Sequence, residues 1–162
     1  MHWIPIGQSL VLIIVANGAP FAAKFLLRSR FDQAIDFDAI WTDGQPLLGR
    51  SKTIRGLVLS LVITAALAPV VGLSWIAGLL IAGSAMAGDL LTSFLKRRLA
   101  IASSSSAPVI DELAECLFPA IVCALQLGLT LIDLLVIVAV FTLGDIILTV
   151  ARAAFFTRWR SS

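Results

Sequence analysis

Hydrophobic residues gather into five blocks along the chain, at roughly 3–27, 54–71, 74–95, 113–130 and 131–156. Two polar stretches, 28–53 and 96–111, separate the first block from the second and the third from the fourth. No Lys, Arg, Asp or Glu occurs from 56 to 88. As one helix that run would reach ~48 Å at ~1.5 Å per residue, well beyond a ~30 Å hydrocarbon core. Pro69 and Val71-Gly72-Leu73-Ser74 supply a tight reversal, so the run predicts two helices. The last two blocks are parted only by 128–133, which predicts a short turn. The first block lacks a basic start and continues to Leu27, too long for the apolar part of a cleaved signal, so it reads as a membrane helix. The pattern predicts an all-α, polytopic membrane protein with five transmembrane helices in a single membrane domain, 1–162, and loops at about 28–53 and 96–111.

Composition agrees. Of 162 residues, 59% are hydrophobic and 14% charged, with a mean hydropathy of +1.01. A soluble domain carries about 25% charged residues. A net charge of +2 gives no case for a nucleic-acid partner. The distribution of charge says more than its sum. Lys24, Arg28, Arg30, Arg50, Lys52 and Arg55 flank the first loop, Lys96, Arg97 and Arg98 open the second, and Arg152, Arg158 and Arg160 lie near the C-terminus. These twelve are all the Lys and Arg residues, and five spans put every one on the same side. The excess of Lys and Arg in cytoplasmic loops then predicts loops and C-terminus inside and N-terminus outside, in the cell (inner) membrane.

Polar residues inside a bilayer cost about 2.5–3.5 kcal/mol each at its centre, so each calls for a reason. Asn17-Gly18-Ala19-Pro20 interrupts the first helix. Pro20 frees the carbonyl near Ala16, which suits either a packing kink or a break lining a cavity. Asp89, Ser93 and Lys96 share one face of the third helix, either as a polar stripe or as part of a site. Lys52 and Arg55 open the second helix, where cations oppose the helix dipole unless they anchor the membrane surface or hold an anion such as phosphate. Asp111, Glu112 and Glu115 begin the fourth helix, where acidic residues are routine. Asp145 lies within the fifth, and either pairs with a cation such as Arg152 or lines a polar cavity. Cys116 and Cys123 read as buried packing thiols, and nothing supports a metal role for His2.

One surface therefore offers carboxylates at Asp89 and Asp111 and cations at Lys52, Arg55, Lys96 and Arg97. Carboxylates that hold Mg²⁺ and cations that neutralise phosphates are the equipment of phosphoryl and nucleotidyl transfer. The sequence holds no Ser–His–Asp set beyond His2, no Cys/His zinc cluster and no Walker A loop.

These same residues carry a family resemblance. Asn17 with Pro20, then Asp43-Gly44 followed by Leu48-Gly49-Arg50-Ser51-Lys52-Thr53-Ile54-Arg55-Gly56, then Gly88-Asp89-Leu90 with Ser93-Phe94-Leu95-Lys96-Arg97-Arg98-Leu99, and finally Asp111, Glu112 and Glu115 occur in order. The chain in these respects resembles the CDP-archaeol synthase family, five-helix membrane proteins related to bacterial CDP-diacylglycerol synthases. The resemblance implies a CTP-dependent cytidylyltransferase that converts a membrane lipid phosphate to its CDP-activated form and releases pyrophosphate, with CTP, the lipid phosphate and the bilayer as partners. It implies Asp89 and Asp111 as Mg²⁺ ligands, with Asp89, Lys96 and Asp111 catalytic. Lys52, Arg55, Lys96 and Arg97 would hold phosphates, and Asn17 and Ser93 would be polar cavity contacts. The active site would face the cytoplasm, and homo-oligomerisation stays open.

This chain departs from the family pattern in three places. Ser103 to Ser106 followed by Ala107-Pro108 stands where a glycine-containing turn is expected, Asp111-Glu112 where Asp-Gln is expected, and Asp145 replaces other polar residues of the fifth helix. The acceptor therefore stays open between archaeol phosphate, phosphatidic acid and another polyprenyl or alkyl phosphate. Two rivals remain: a small transporter or channel subunit, which would place polar residues through the whole membrane thickness, and a non-catalytic scaffold packing through small residues.

Overall fold

The computed structural model describes residues 1–99 and 108–160, with side chains described for 1–99 and 114–148. Five helices follow in order: α1 (Trp3–Leu27), α2 (Ile54–Leu67), α3 (Trp75–Arg98), α4 (Pro108–Leu127) and α5 (Leu131–Arg160). A 3-10 turn, Ala68–Val71, extends α2. Among the described residues there is no strand, only the isolated bridges Ala34 to Thr53 and Ile40 to Pro46 within the first loop. Spans Trp3–Leu27, Ile54–Val71, Trp75–Arg98 and Leu131–Leu148 are long and apolar enough to cross a bilayer, and Ala114–Leu127 of α4 adds a shorter apolar helix.

Local chemistry ends the helices where the sequence changes character. Thr53 caps α2 by accepting a hydrogen bond from the Gly56 N–H at 3.3 Å, and Ser74 caps α3 through Ala77 N–H at 3.1 Å. The reversal between them turns on Gly72, whose φ of 86° suits a residue without Cβ. Gly128 (φ 62°) ends α4, and Thr130 with Asp133 forms a reciprocal capping box at the start of α5.

Packing is inside-out relative to a soluble bundle. Large apolar side chains such as Ile4, Phe25, Leu125 and Ile147 face outward, while Ala16, Ser60, Thr64, Ala82, Ala85 and Cys116 are buried. Small residues let the backbones approach closely: a Cβ on Gly78 would come within 2.8 Å of Ala65 Cα and Thr64 O, and one on Gly88 would strike the Ala114 backbone. Pro20 leaves the Ala16 carbonyl without its helical donor, and Ser60 Oγ on α2 donates to it at 2.7 Å. Cys116 and Cys123 are both buried and unbridged.

Candidate active site

A short helix makes the site. Pro20 of α1 packs against Gly56 of α2, and Pro20 lies seven residues before the end of α1, so α2, which begins two residues before Gly56, starts ~7 Å below that end at ~1.5 Å per residue. The chain from Ser51 to Thr53 is thereby carried down between α1 and α3. A pocket of about 80 Å³ results, where charged and polar side chains (Lys24 of α1, Ser51, Lys52, Thr53 and Asp89 of α3) meet an apolar lining that includes Pro20, Leu57 and Leu90.

Lys52 and Asp89 meet in it. Lys52 Nζ donates to Asp89 Oδ1, with the two side chains 21% and 17% exposed. Backbone bonds fix Lys52 from both sides: its N–H donates to Gly49 O at 3.2 Å, and its carbonyl accepts from Ile35 N–H at 2.9 Å. Further back in the loop, the buried Asp36 carboxylate accepts N–H bonds from Leu48 (2.8 Å), Gly49 (3.0 Å) and Asp38 (3.2 Å). Burial pushes the Asp36 pKa up, but those donors outweigh it and hold the carboxyl below its ordinary range. Arg98 ties the loop to the end of α3. Its guanidinium donates to Asp43 Oδ1 and to Pro46 O, each at 2.7 Å, and lies over the Trp41 and Phe94 rings.

The remaining residues expected at the site scatter. Arg55 is buried and turned toward the end of α1, where it donates to the carbonyls of Arg28 and Arg30 and to Asp32 Oδ1 at 2.6 Å. Its guanidinium organises the first loop and does not line the pocket. Ser93 Oγ donates to the Asp89 carbonyl at 2.8 Å, so its hydroxyl is used within α3. Arg97 is buried with its guanidinium beside Gly49, and Lys96 is half-buried; neither lines the pocket. The side chains of Asp111, Glu112 and Arg152 and the run Ser103 to Ser106 lie outside what the structure describes. Among the described residues no three His, Cys, Asp or Glu side chains come together as a metal cluster.

Asn17 points to a different space. A groove of about 420 Å³ between α1, α4 and α5 is lined by Asn17, Phe21, Glu115, Phe141 and Asp145, and Asn17 Nδ2 donates to the Glu115 carbonyl at 3.2 Å. Asp145 thus faces a largely apolar groove.

Sequence reading passed over three features. Lys24 counted only as a topological anchor, and its position one turn after Pro20 was the available signal. Asp36 was one of four loop aspartates, with nothing local to separate it from the others. The third is at the opposite end of the bundle, where His2 Nδ1 lies 2.8 Å from Asp133 Oδ2 and joins the N-terminus to the α4–α5 turn. That pairing spans 131 positions and has no local signature.

Comparison with known proteins places these features in a lineage. The family model described as CarS-like: CDP-archaeol synthase matches residues 65–155. A CDP-archaeol synthase of Methanopyrus kandleri is 35% identical over 68% of this chain and 66% of its own length. One from Aeropyrum pernix is 36% identical over 76% of this chain and 72% of its own. For the relatives from Methanopyrus kandleri, Sulfolobus acidocaldarius and Staphylothermus marinus, the chain spans 66%, 61% and 57% of their length. A solved structure described as an intramembrane enzyme for archaeal membrane lipids biosynthesis superposes with a TM-score of 0.70 at 27% identity, over 86% of this chain and 92% of that one.

Proposed function

The chain belongs to the CarS-like CDP-archaeol synthase family, and from that premise we propose that it is a CTP-dependent cytidylyltransferase acting on a membrane lipid phosphate. An oxygen of the lipid phosphate attacks the α-phosphorus of CTP, the bond from that phosphorus to the bridging oxygen breaks, and pyrophosphate leaves. Family membership does not favour the transporter and scaffold readings.

The observation that carries this reading is the Lys52–Asp89 pair inside a pocket sunk among three helices. Phosphoryl-group chemistry asks little covalent work of a protein and much positioning and charge neutralisation. The substrate supplies the nucleophile, so no Ser or Cys is required. Lys52, held by Asp89 and by backbone bonds on both sides, presents a fixed ammonium to phosphate oxygens. Lys96 and Arg97 lie on the last turn of α3, about two turns beyond Asp89, and we assign them to the triphosphate at the pocket mouth.

Mg²⁺ suits this donor set as an ion that arrives with the nucleotide. It is commonly bound by one or two carboxylates, with phosphate and water completing its shell, and the pocket provides Asp89. Asp111 is the second carboxylate we assign. When bound, the ion would neutralise charge on the triphosphate and on departing pyrophosphate. The first two Lys/Arg groups lie in the first loop and on the helix turns at the same end of the bundle, and we place that end, with the site, on the cytoplasmic face of the cell membrane, where CTP is available.

The test is direct. Purified protein with Mg²⁺, labelled CTP and a panel of lipid phosphates is expected to form a labelled CDP-lipid with at least one acceptor. No product with any acceptor, together with no CTP binding, would overturn the proposal.

A further inference from the structure

We infer that Lys24 binds the phosphate of the acceptor lipid, and is thus the substrate-binding cation on the membrane side of the pocket. This rests on the cytidylyltransferase reading and assigns one of its two substrates to a place.

Three observations converge on Lys24. It lines the same pocket as Lys52 and Asp89. Those two already neutralise each other, so the remaining positive charge of the pocket sits on Lys24. Among the described residues the Lys24 side chain makes no hydrogen bond or ion pair, although the side chain of every other cation of the described loop region except Arg28 and Arg30 does.

Its position on α1 selects the lipid over the nucleotide. Phe21 and Phe25, on neighbouring positions of the same helix, are exposed on the bundle surface at 62% and 77%. A lysine there can lay its aliphatic stem along the apolar surface and keep its ammonium at the polar boundary. Lys24 is exposed whereas Lys52 is largely covered, so a lipid phosphate approaching along this surface would meet Lys24 first. The larger groove that Asn17 and Phe21 of α1 also line offers no rival phosphate site, because Glu115 and Asp145 line it and would repel an anion.

The plainer reading is that Lys24 only anchors the end of α1, where a cation complements the helix dipole. Steady-state kinetics separate the two readings. Lys24→Met is expected to raise KM for a short-chain dialkylglycerol phosphate at least tenfold at saturating CTP, while KM for CTP stays within twofold. Lys24→Arg, which keeps the charge, is expected to recover lipid KM to within threefold. Unchanged constants for both substrates would leave an anchor only, and a parallel rise in KM for CTP would make Lys24 a nucleotide contact; either result overturns the inference. Should Lys24→Met fail to elute as folded protein on gel filtration, Lys24→Gln is read by the same criteria. Failure of the cytidylyltransferase reading is distinguished by equilibrium binding of the same dialkylglycerol phosphate without CTP. If wild-type protein makes no CDP-lipid, that binding still decides the matter: loss in Lys24→Met supports the assignment and retention overturns it.

Discussion

Lys52 and Asp89 each need the other for different reasons. Asp89, near the middle of a membrane-spanning helix, gains a counter-charge, and Lys52 gains a fixed direction. Asp89→Asn keeps the shape and one acceptor, so it is expected to fold, with an unchanged gel-filtration profile, while CDP-lipid formation falls at least about 100-fold. Near-normal turnover would remove Asp89 from the site. Asp36 acts at the same scale but on order. Its carboxyl is held below its ordinary pKa, so the stability it contributes is present above the unfolded value of about 3.8 and is lost as pH falls through the lower folded value. Hydrogen exchange at Leu48 and Gly49 is therefore expected to stay protected at neutral pH and to accelerate only in acid below that range. Asp36→Ala is expected to cost about 1–3 kcal/mol and to expose the same amides at pH 7.

Among the helices, depth decides function. α2 begins lower in the bundle than α1 ends, because Gly56 allows Pro20 to pack against it and Thr53 supplies the cap. The interruption of α1 serves packing through Pro20 and Ser60, and its residues line two spaces, the pocket at Pro20 and the groove at Asn17. Both explanations of that interruption thus apply, to different residues. Ser60→Ala would leave the Ala16 carbonyl without a donor, and a loss of about 1 kcal/mol is expected from thermal unfolding in detergent. Gly88→Leu is expected to be far worse, since no side chain fits between α3 and the Ala114 backbone; the variant should fail to yield folded protein.

Across the described residues, alternation of the helices puts the first loop and the end of α3 at one end, and His2, Gly72 and Gly128 at the other. The proposed orientation makes a labelling prediction. In intact cells a membrane-impermeant maleimide should modify Val70→Cys, at the exposed reversal, and should reach Arg50→Cys only after permeabilisation. The buried native Cys116 and Cys123 should stay unmodified. The opposite pattern would invert the topology and move the site away from cytosolic CTP.

The amino-acid sequence alone determined the membrane class, the helix bounds to within a few residues, and the residue types available for chemistry. Hydrophobic length, capping residues and breaks at Pro and Gly act over a turn or two, so they are local and readable. What only the tertiary structure decided is which of those residues meet. Lys52 reaches Asp89 across 37 positions, whereas Arg55, three residues away, turns to the end of α1. Lys24 enters the pocket and Ser93 turns back into its own helix. Those outcomes depend on how deep each helix starts and how it is rotated about its axis. Contacts between distant small residues set both, and no stretch of the chain encodes them by itself.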